Sequence, residues 1–197
     1  MTDHPMTHDQ ILEHFRSAGA LLEGHFLLSS GLHSRSYLQC ALALQFPADA
    51  MRFGRMIAAK YLDDNIETVA SPAIGGLIIG YSVAAALNIR FLWTERQEGE
   101  MTLRRGFTLK PGERILVVED VITTGGSTRE CIAALKGGGG NVVAAASIID
   151  RSNGVADVGV PRTALVELDV PTYTEEQCPM CYAGDSPYKP GSRTAAR

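Results

Sequence analysis

The chain has 197 residues, of which 45% are hydrophobic and 20% are charged, as in an ordinary globular protein. Its 18 basic and 22 acidic side chains give a net charge of −4, which argues against a nucleic-acid or membrane surface. No apolar run approaches the roughly 20 residues of a membrane span, and the amino-terminal stretch MTDHPMTHDQ lacks a secretory signal pattern. We therefore expect one domain with additions, located in the cytoplasm, where four cysteines fit a reducing compartment.

The first 40 residues are predicted to form a helix and a hairpin. Thr7–Gln10 has the form of a capping box, and apolar residues at helical spacing follow from Asp9 to about Ala18. Ala20–Gln39 is predicted to form two short strands around a serine-rich loop, Ser29–Ser36. Taken alone, such a loop is more often a plain hairpin turn than part of a polar site.

A strand, a glycine turn and a helix follow. Pro47 is predicted to begin a helix that ends near Leu62, and Thr68–Ser71 is predicted to be a short strand. Ser71–Gly76 then leads into an apolar helix, Leu77–Leu87. A helix N-terminus carries partial positive charge, so this turn is a candidate anion site. Glycines needed for close helix–strand packing explain the same pattern equally well.

The character of the sequence changes after the next predicted strand, Ile89–Trp93. Thr94–Phe107 is polar and includes Arg96, Arg104 and Arg105. Two interpretations remain open. The segment is either a solvated loop or β-hairpin arm, or a mobile lid whose arginines bind diphosphate oxygens.

The most informative stretch is ILVVEDVITTGGSTRE. Ile115–Val118 is predicted to be a buried strand, followed by Glu119 and Asp120, then by a threonine–glycine turn (Thr123–Thr128) and a helix to about Lys136. Backbone N–H groups and hydroxyls of such a turn are suited to a phosphate, and the acids to a sugar. Neither GxxxxGK[ST] nor GxGxxG is present, which disfavours P-loop and dinucleotide sites. The alternative is an ordinary strand–helix turn with incidental acids.

The remaining strands complete an α/β pattern. Val142–Ile149 is predicted to be a buried strand, with Asp150 and Arg151 at its carboxyl edge, where ligands bind in open α/β sheets. Ala164–Leu168 is a last short strand. The alternation of strands and helices predicts a parallel sheet with helices on both faces.

After Pro171 the chain is predicted to be loop-like. Cys178–Cys181 forms one CxxC, whereas a structural zinc site needs four ligands. Cys40 and Cys131 are isolated, so zinc is not expected, and a helical turn with two inert thiols is the better interpretation. The residues from about Gly191 onward are predicted to be mobile.

The strand, acid pair and turn resemble the phosphoribosyl-diphosphate (PRPP) signature of type I phosphoribosyltransferases. A wider set of segments resembles the orotate phosphoribosyltransferases in particular. That set is FLLSSGLHSRSY (Phe26–Tyr37), SPAIGG (Ser71–Gly76), TERQEGEMTLRRGF, VVEDVITTGGST, IIDR (Ile148–Arg151) and the CPMC…KPGSR tail. The resemblance departs at Ser29 and Gly75, since many family members have lysine there.

The resemblance implies a fold and an activity. The fold is a type I phosphoribosyltransferase-like parallel sheet flanked by helices, with a small hood over its carboxyl edge. Residues 1–45 would supply the helix and hairpin of the hood, 46–170 the core, and 171–197 a tail shared between hood and mobile end. The reaction would transfer phosphoribosyl from PRPP to orotate, giving orotidine 5′-monophosphate and diphosphate in pyrimidine biosynthesis. Mg²⁺, held mainly through PRPP, would be the cofactor, and the protein would be a homodimer.

The resemblance also implies site residues. The catalytic set is Glu119, Asp120, Arg96, Arg104 and Arg105. PRPP would be bound by Glu119, Asp120, Val121, Ile122, Thr123, Thr124, Gly125, Gly126, Ser127, Thr128, Ala73, Ile74, Gly75 and Arg96. Orotate would be bound by Thr123, Arg151, Ser29, Ser30 and Gly31, with Arg151 pairing with its carboxylate. The Arg96–Phe107 loop would reach the neighbouring subunit's site.

Two rival functions stay open at this point. One is a phosphoribosyltransferase for another base, such as a purine. The other is a PRPP-sensing regulator that binds RNA or DNA, which would need a basic face or an added domain. The net charge of −4 disfavours the regulator.

Overall fold

A mostly parallel sheet of six strands lies at the centre of the computed structural model, which describes residues 5–28 and 30–190. In chain order its strands are β3 (Thr68–Pro72), β4 (Arg90–Gln97), β5 (Glu100–Leu103), β6 (Arg114–Ile122), β7 (Asn141–Asp150) and β8 (Arg162–Glu167). Their order across the sheet is β5-β4-β3-β6-β7-β8, and every neighbouring pair is parallel except β4–β5. The predicted α/β fold is confirmed.

The helices of the described chain are α1 (His8–Ser17), α2 (Cys40–Leu44), α3 (Pro47–Ala58), α4 (Gly76–Leu87), α5 (Gly126–Gly137) and the short α6 (Pro179–Tyr182), with a 3₁₀ turn at Glu175–Gln177. Helices α3 and α4 pack on one face of the central sheet and α5 on the other. In β6, Leu116 and Val118 pack with the core on the α3 and α4 side, while Ile115 and Val117 pack with α5. Burial on both faces explains why this strand is a continuous apolar run. None of the helices in the described part of the chain has the length and hydropathy of a membrane span.

Helix starts follow the sequence more closely than helix ends. The Thr7 hydroxyl accepts a hydrogen bond from the Gln10 amide at 3.3 Å, and the Gln10 side chain accepts one from the Thr7 amide at 2.9 Å, which confirms the capping box. Helix α3 begins at Pro47 as predicted but ends at Ala58, four residues before Leu62. The apolar pattern continues past the helix because the buried Tyr61 donates from a turn to the carbonyl of Ala145.

A second, small sheet joins the two ends of the described chain. It is antiparallel, with order β1-β2-β9, and consists of β1 (Leu21–Leu27), β2 (His33–Leu38) and β9 (Thr172–Tyr173). This is the hood that the resemblance implied. The predicted loop Ser29–Ser36 is too long, because β2 already begins at His33. The tail is also more ordered than the predicted loop, since β9 pairs with the start of β2.

The polar segment Thr94–Phe107 is largely a β-hairpin arm, one of the two structures left open above. Thr94 pairs with Leu103 and Gln97 with Glu100, and the turn residues Glu98 and Gly99 both have positive φ, as in tight hairpins. Met101, Leu103 and Phe107 pack against the α5-side core. These few apolar contacts order a segment whose composition is that of a loop.

Candidate active site

The two predicted acids lie within the carboxyl-terminal part of β6, not after it. The predicted strand Ile115–Val118 was too short, because β6 continues to pair with β7 as far as Ile122 and Asp150. Alternation along the strand sends the two carboxylates to opposite faces. The Glu119 carboxylate accepts a hydrogen bond from the Thr128 hydroxyl at 2.5 Å, in the first turn of α5. The Asp120 carboxylate faces Gly75, at the start of α4. Each acid therefore stands beside one of the two candidate anion turns.

Both carboxylates are harder to ionise than usual. Burial raises the pKa of Glu119 to about 7, the Thr128 hydrogen bond opposes this rise, and the negative charge of Asp120 adds to it. Burial also raises the pKa of Asp120, against a hydrogen bond from the Val121 amide at 2.9 Å. A cation, or positive charge developing between these groups, would therefore be stabilised strongly.

The threonine–glycine turn forms a small polar concavity. Thr123–Gly125 make the turn itself, and Gly126 begins α5, so the helix N-terminus faces the concavity. Its volume is about 70 Å³. The lining residues are Glu119, Val121, Ile122, Thr123, Thr124, Gly125, Gly126, Ser127 and Thr128. The size and donors suit a compact anion such as phosphate.

Arg129, which the sequence did not indicate as a site residue, stabilises this turn. The Arg129 guanidinium donates to the carbonyl of Thr124 at 2.9 Å and to that of Asp157 at 2.6 Å. Asp157 lies in the loop after β7, so no local sequence pattern indicates the contact. Arg129 thus fixes the outer side of the turn.

Gly125 is required for two independent reasons. Its φ of +72° is left-handed, and a Cβ at this position would lie 2.8 Å from Cγ1 of Val158. We expect Gly125→Ala to lower stability by about 1–3 kcal/mol. Gly112→Ala is the matched control, because Gly112 has a φ of +75° and a Cβ there would meet nothing within 4 Å. Thermal melts that are the same for both variants would contradict this requirement.

A larger cavity of about 420 Å³ adjoins the turn under the small sheet. Its lining residues are Leu28, Ser30, Leu32, Tyr37, Thr123, Thr124, Arg151, Val170 and Thr172. The structure thus brings together Ser30, Thr123 and Arg151, three of the residues predicted to bind orotate. Gly31 lies next to Ser30 but does not line the cavity, and Ser29 lies outside the described residues. The apolar hood residues were not predicted, since segments distant in sequence supply them.

Arg151 lines this cavity as a partly buried cation. Its Nε is buried and has no hydrogen-bond partner among residues 5–28 and 30–190, and burial lowers the pKa of its guanidinium. The neighbouring Asp150 does not neutralise it, because that carboxylate forms an ion pair with Arg162 and accepts from Ser152. A buried guanidinium in this state favours a planar carboxylate ligand.

The turn before α4 combines packing with proximity to an acid. A Cβ at Gly80 would overlap the Ser71 hydroxyl, and one at Gly76 would lie 2.9 Å from the carbonyl of Val118, so both glycines permit close helix–strand packing. A Cβ at Gly75 would lie 2.9 Å from the Asp120 carboxylate. Of the predicted PRPP residues Ala73, Ile74 and Gly75, the structure thus places Gly75 beside Asp120, and the roles of Ala73 and Ile74 stay predictions.

The hairpin arginines do not line either cavity of their own chain, so their predicted reach to the neighbouring subunit's site stays a prediction. Arg105 donates to both carboxylate oxygens of Glu95, at 2.7 and 3.0 Å, and Arg104 lies 3.9 Å from the same group. Arg96 forms an ion pair with Glu130 of α5. The hydrogen bond from Arg105 lowers the pKa of Glu95. The glutamates near these arginines are their counter-charges, and exposed pairs of this kind contribute little stability.

Comparison with known proteins identifies the family. The family model of the phosphoribosyl transferase domain matches residues 44–168. The orotate phosphoribosyltransferase of Pelotomaculum thermopropionicum is 52% identical over 188 residues, covering 95% of this chain and 99% of that protein. That of Thermotoga maritima is 51% identical over 183 residues, covering 93% and 98%. The crystal structure of orotate phosphoribosyltransferase from Aeropyrum pernix matches with a TM-score of 0.66 and 25% identity over 80% of this chain and 93% of that one. The chain belongs to the orotate phosphoribosyltransferase family.

Proposed function

We propose that this protein transfers the phosphoribosyl group of PRPP to orotate, forming orotidine 5′-monophosphate and diphosphate in pyrimidine biosynthesis. The observation that carries the proposal is the placement of Arg151. Its guanidinium, whose Nε has no hydrogen-bond partner among the described residues, lies in a cavity that shares Thr123 and Thr124 with the threonine–glycine turn. An anionic base bound there would be next to a sugar whose phosphate occupies the turn. We also propose that the protein is located in the cytoplasm. This compartment is reducing, and the four cysteines of the chain are free.

Each part of the site has a role in this reaction. The 5′-phosphate binds the N–H groups and hydroxyls of the threonine–glycine turn at the N-terminus of α5. Glu119 and Asp120 accept hydrogen bonds from the ribose hydroxyls. As the bond from ribose C1 to diphosphate breaks, positive charge develops on the ring, and ionised carboxylates stabilise it. An orotate nitrogen then forms the new bond to C1 while Arg151 holds the carboxylate of orotate.

The residues present fit Mg²⁺ as a cofactor carried mainly by PRPP. Carboxylate oxygens are ligands that Mg²⁺ accepts, and the raised pKa values of Glu119 and Asp120 mean that a nearby cation would favour their ionised forms. When bound, Mg²⁺ would supply charge neutralisation at the diphosphate oxygens. We assign no residue of this chain as its dedicated ligand.

A homodimer is part of the proposal. An apolar groove of about 530 Å³ runs along α3, α4 and the first half of β4. Tyr81, which lines it, is 63% exposed, and Phe46, next to the lining residues Gln45 and Pro47, is 53% exposed. Exposed apolar patches often mark interaction sites, and a second copy of the chain would cover this one. Trp93 in the groove immediately precedes the hairpin arm, so an arm at the dimer interface could carry Arg104 and Arg105 into the neighbouring subunit's site.

Mixing two variants tests whether the arm acts between subunits, when the assay uses an orotate concentration near the wild-type KM, at which each variant alone is expected to be nearly inactive. The Arg104→Ala/Arg105→Ala protein keeps its substrate site, and the Arg151→Ala protein keeps its arm. After denaturation and refolding together in equal amounts, half of the dimers are hybrids with one complete site, so activity should recover to about a quarter of wild type. Each variant refolded alone is the control. No recovery on mixing would show that the arm serves its own subunit or none.

The reaction itself is tested by following orotate absorbance with PRPP and Mg²⁺. We expect consumption of orotate that depends on both additions, and none of uracil or purine bases under the same conditions. Turnover of a purine instead of orotate would replace this proposal with the rival phosphoribosyltransferase.

A further inference from the structure

Four metal-binding side chains from the two ends of the chain converge under the small sheet. His25 lies on β1, His33 begins β2, Cys178 immediately precedes α6 and Cys181 lies within it. One ligand atom from each residue lies within 4.8 Å of all the others. The cysteine spacing alone did not predict zinc, because it supplies only two of the four ligands that a structural site needs. The other two are the histidines, which are eight residues apart.

The distances approach those of a tetrahedral zinc site. The Sγ of Cys178 lies 3.4 Å from Nε2 of His25, and that of Cys181 lies 3.3 Å from Nδ1 of His33 and 3.8 Å from Nε2 of His25. In a tetrahedral site with zinc–nitrogen bonds of about 2.0 Å and zinc–sulfur bonds of about 2.3 Å, neighbouring ligand atoms are roughly 3.3–3.8 Å apart. The two ring nitrogens, at 2.8 Å, would have to separate slightly, and the remaining pairs of ligand atoms lie within 4.8 Å of each other.

The surroundings already orient His25 as a ligand. Its Nδ1 lies 3.1 Å from the backbone carbonyl of Asp185. A carbonyl only accepts hydrogen bonds, so Nδ1 carries the proton and the lone pair of Nε2 faces the cluster. Histidine ligands of metals commonly have such an outer partner, which fixes the ring and its tautomer.

Burying these four polar side chains costs free energy unless their sulfur atoms have a strong binding partner. Cys178 is 0% exposed, His33 4% and His25 5%. The two imidazoles can satisfy one another with a single hydrogen bond. The thiols are weak donors and acceptors, and they converge on the same ring nitrogens. Four ligands of this type with no open coordination position are typical of structural zinc sites.

We propose that His25, His33, Cys178 and Cys181 bind one Zn²⁺ in a closed structural site. The ion ties the tail to the amino-terminal hairpin, adding to the two β2–β9 residue pairs, the backbone bonds of Tyr188 with His25 and Leu27, and the contact between His25 and Asp185. A sheet this small has little stability of its own. Since Leu28, Ser30 and Thr172 of this region line the larger cavity, the ion also holds the roof of the substrate site.

The test is the metal content and melting temperature of the full chain, purified under reducing conditions without a histidine tag. We expect about one Zn²⁺ per chain by mass spectrometry of the elements, and a loss of roughly 5–10 °C in Tm after chelation. Cys178→Ser and His25→Asn should lose the zinc, whereas the matched control Cys131→Ala should keep it, because Cys131 is a buried residue of α5 outside the cluster. Zinc retained at full occupancy by both cluster variants would overturn the proposal.

A second measurement decides the question even if the cluster variants fail to fold. Co²⁺ added to the metal-free wild-type chain should give the intense visible bands of tetrahedral cobalt and the ultraviolet bands of cobalt–thiolate bonds, and Zn²⁺ should abolish both. Absence of these bands, or a Cys178–Cys181 disulfide in the freshly purified protein, would exclude the site. Neither readout depends on catalysis, so the result is separate from the fate of the proposed reaction.

Discussion

Replacing Arg151 with alanine should raise the KM for orotate by about 10²- to 10³-fold and leave the KM for PRPP nearly unchanged. The guanidinium is partly buried, its Nε has no hydrogen-bond partner in the described chain, and Asp150 is committed to Arg162 and Ser152. The carboxylate of orotate would therefore lose its main partner in a desolvated cavity. Steady-state kinetics with each substrate varied in turn measure the effect.

Arg151→Lys is the matched control for this prediction. Lysine keeps the charge but loses the planar fork that pairs with a carboxylate, so it should recover only part of the orotate affinity. Circular dichroism melts of both variants establish that the fold is intact. An equal rise in both KM values would remove Arg151 from orotate recognition and assign it a general structural role.

Neutralising the acids of β6 should lower kcat without a comparable loss of substrate binding. Glu119→Gln and Asp120→Asn keep the shape and some hydrogen bonding of each side chain but remove the charge that faces the developing cation. Loss of one preorganised electrostatic group of this kind costs about 10²- to 10³-fold in rate. Single-turnover rates at saturating PRPP and orotate measure it. Variants with wild-type rates would rule out electrostatic stabilisation by this acid pair.

The pKa of Glu119, about 7, gives the same prediction a pH dependence. Glu119 is protonated below this value and ionised above it, so kcat/KM for PRPP should rise through pH 7 and then level off. Stability should change in the opposite direction. Burial raises the pKa from 4.5, so ionisation is disfavoured in the folded state, and Tm should fall as pH rises from about 4.5 to 7.

Glu119→Gln should remove the activity limb near pH 7. Phosphate groups of the substrate titrate near pH 6, and their effect on the pH profile should be the same in both proteins. The Glu119→Gln variant is therefore the appropriate control for that effect. A profile that is identical in wild type and Glu119→Gln would mean that the ionisation of Glu119 does not govern the reaction.

The local patterns of the sequence predicted the elements of the site more accurately than their mutual positions. A capping box, a proline at a helix start and an apolar strand before a glycine turn each depend on neighbouring residues, and the structure confirms them. The distribution of Glu119 and Asp120 between two faces depends on how far β6 continues to pair with β7. That pairing is set by β7, a strand some 20 residues further along the chain.

The features that sequence reasoning missed all involve contacts between distant segments. Arg129 meets Asp157, the hood side chains meet Arg151 across a cavity, and the histidines of the first hairpin meet the cysteines of the tail. The hairpin arm was left undecided because its ordering rests on three apolar residues that pack against α5. The composition of the segment could not show whether these residues pack against α5 or lie in a solvated loop.

The proposed reaction requires that the threonine–glycine turn and the acids of β6 together hold a phosphorylated ribose. Calorimetric titration of the full chain with PRPP and Mg²⁺ measures this binding without any contribution from catalysis. We predict saturable binding at one site per chain, weakened in Gly125→Ala and unchanged in the control Gly112→Ala. Absence of binding, or binding of equal strength in both variants, would show that the turn is not the phosphate site.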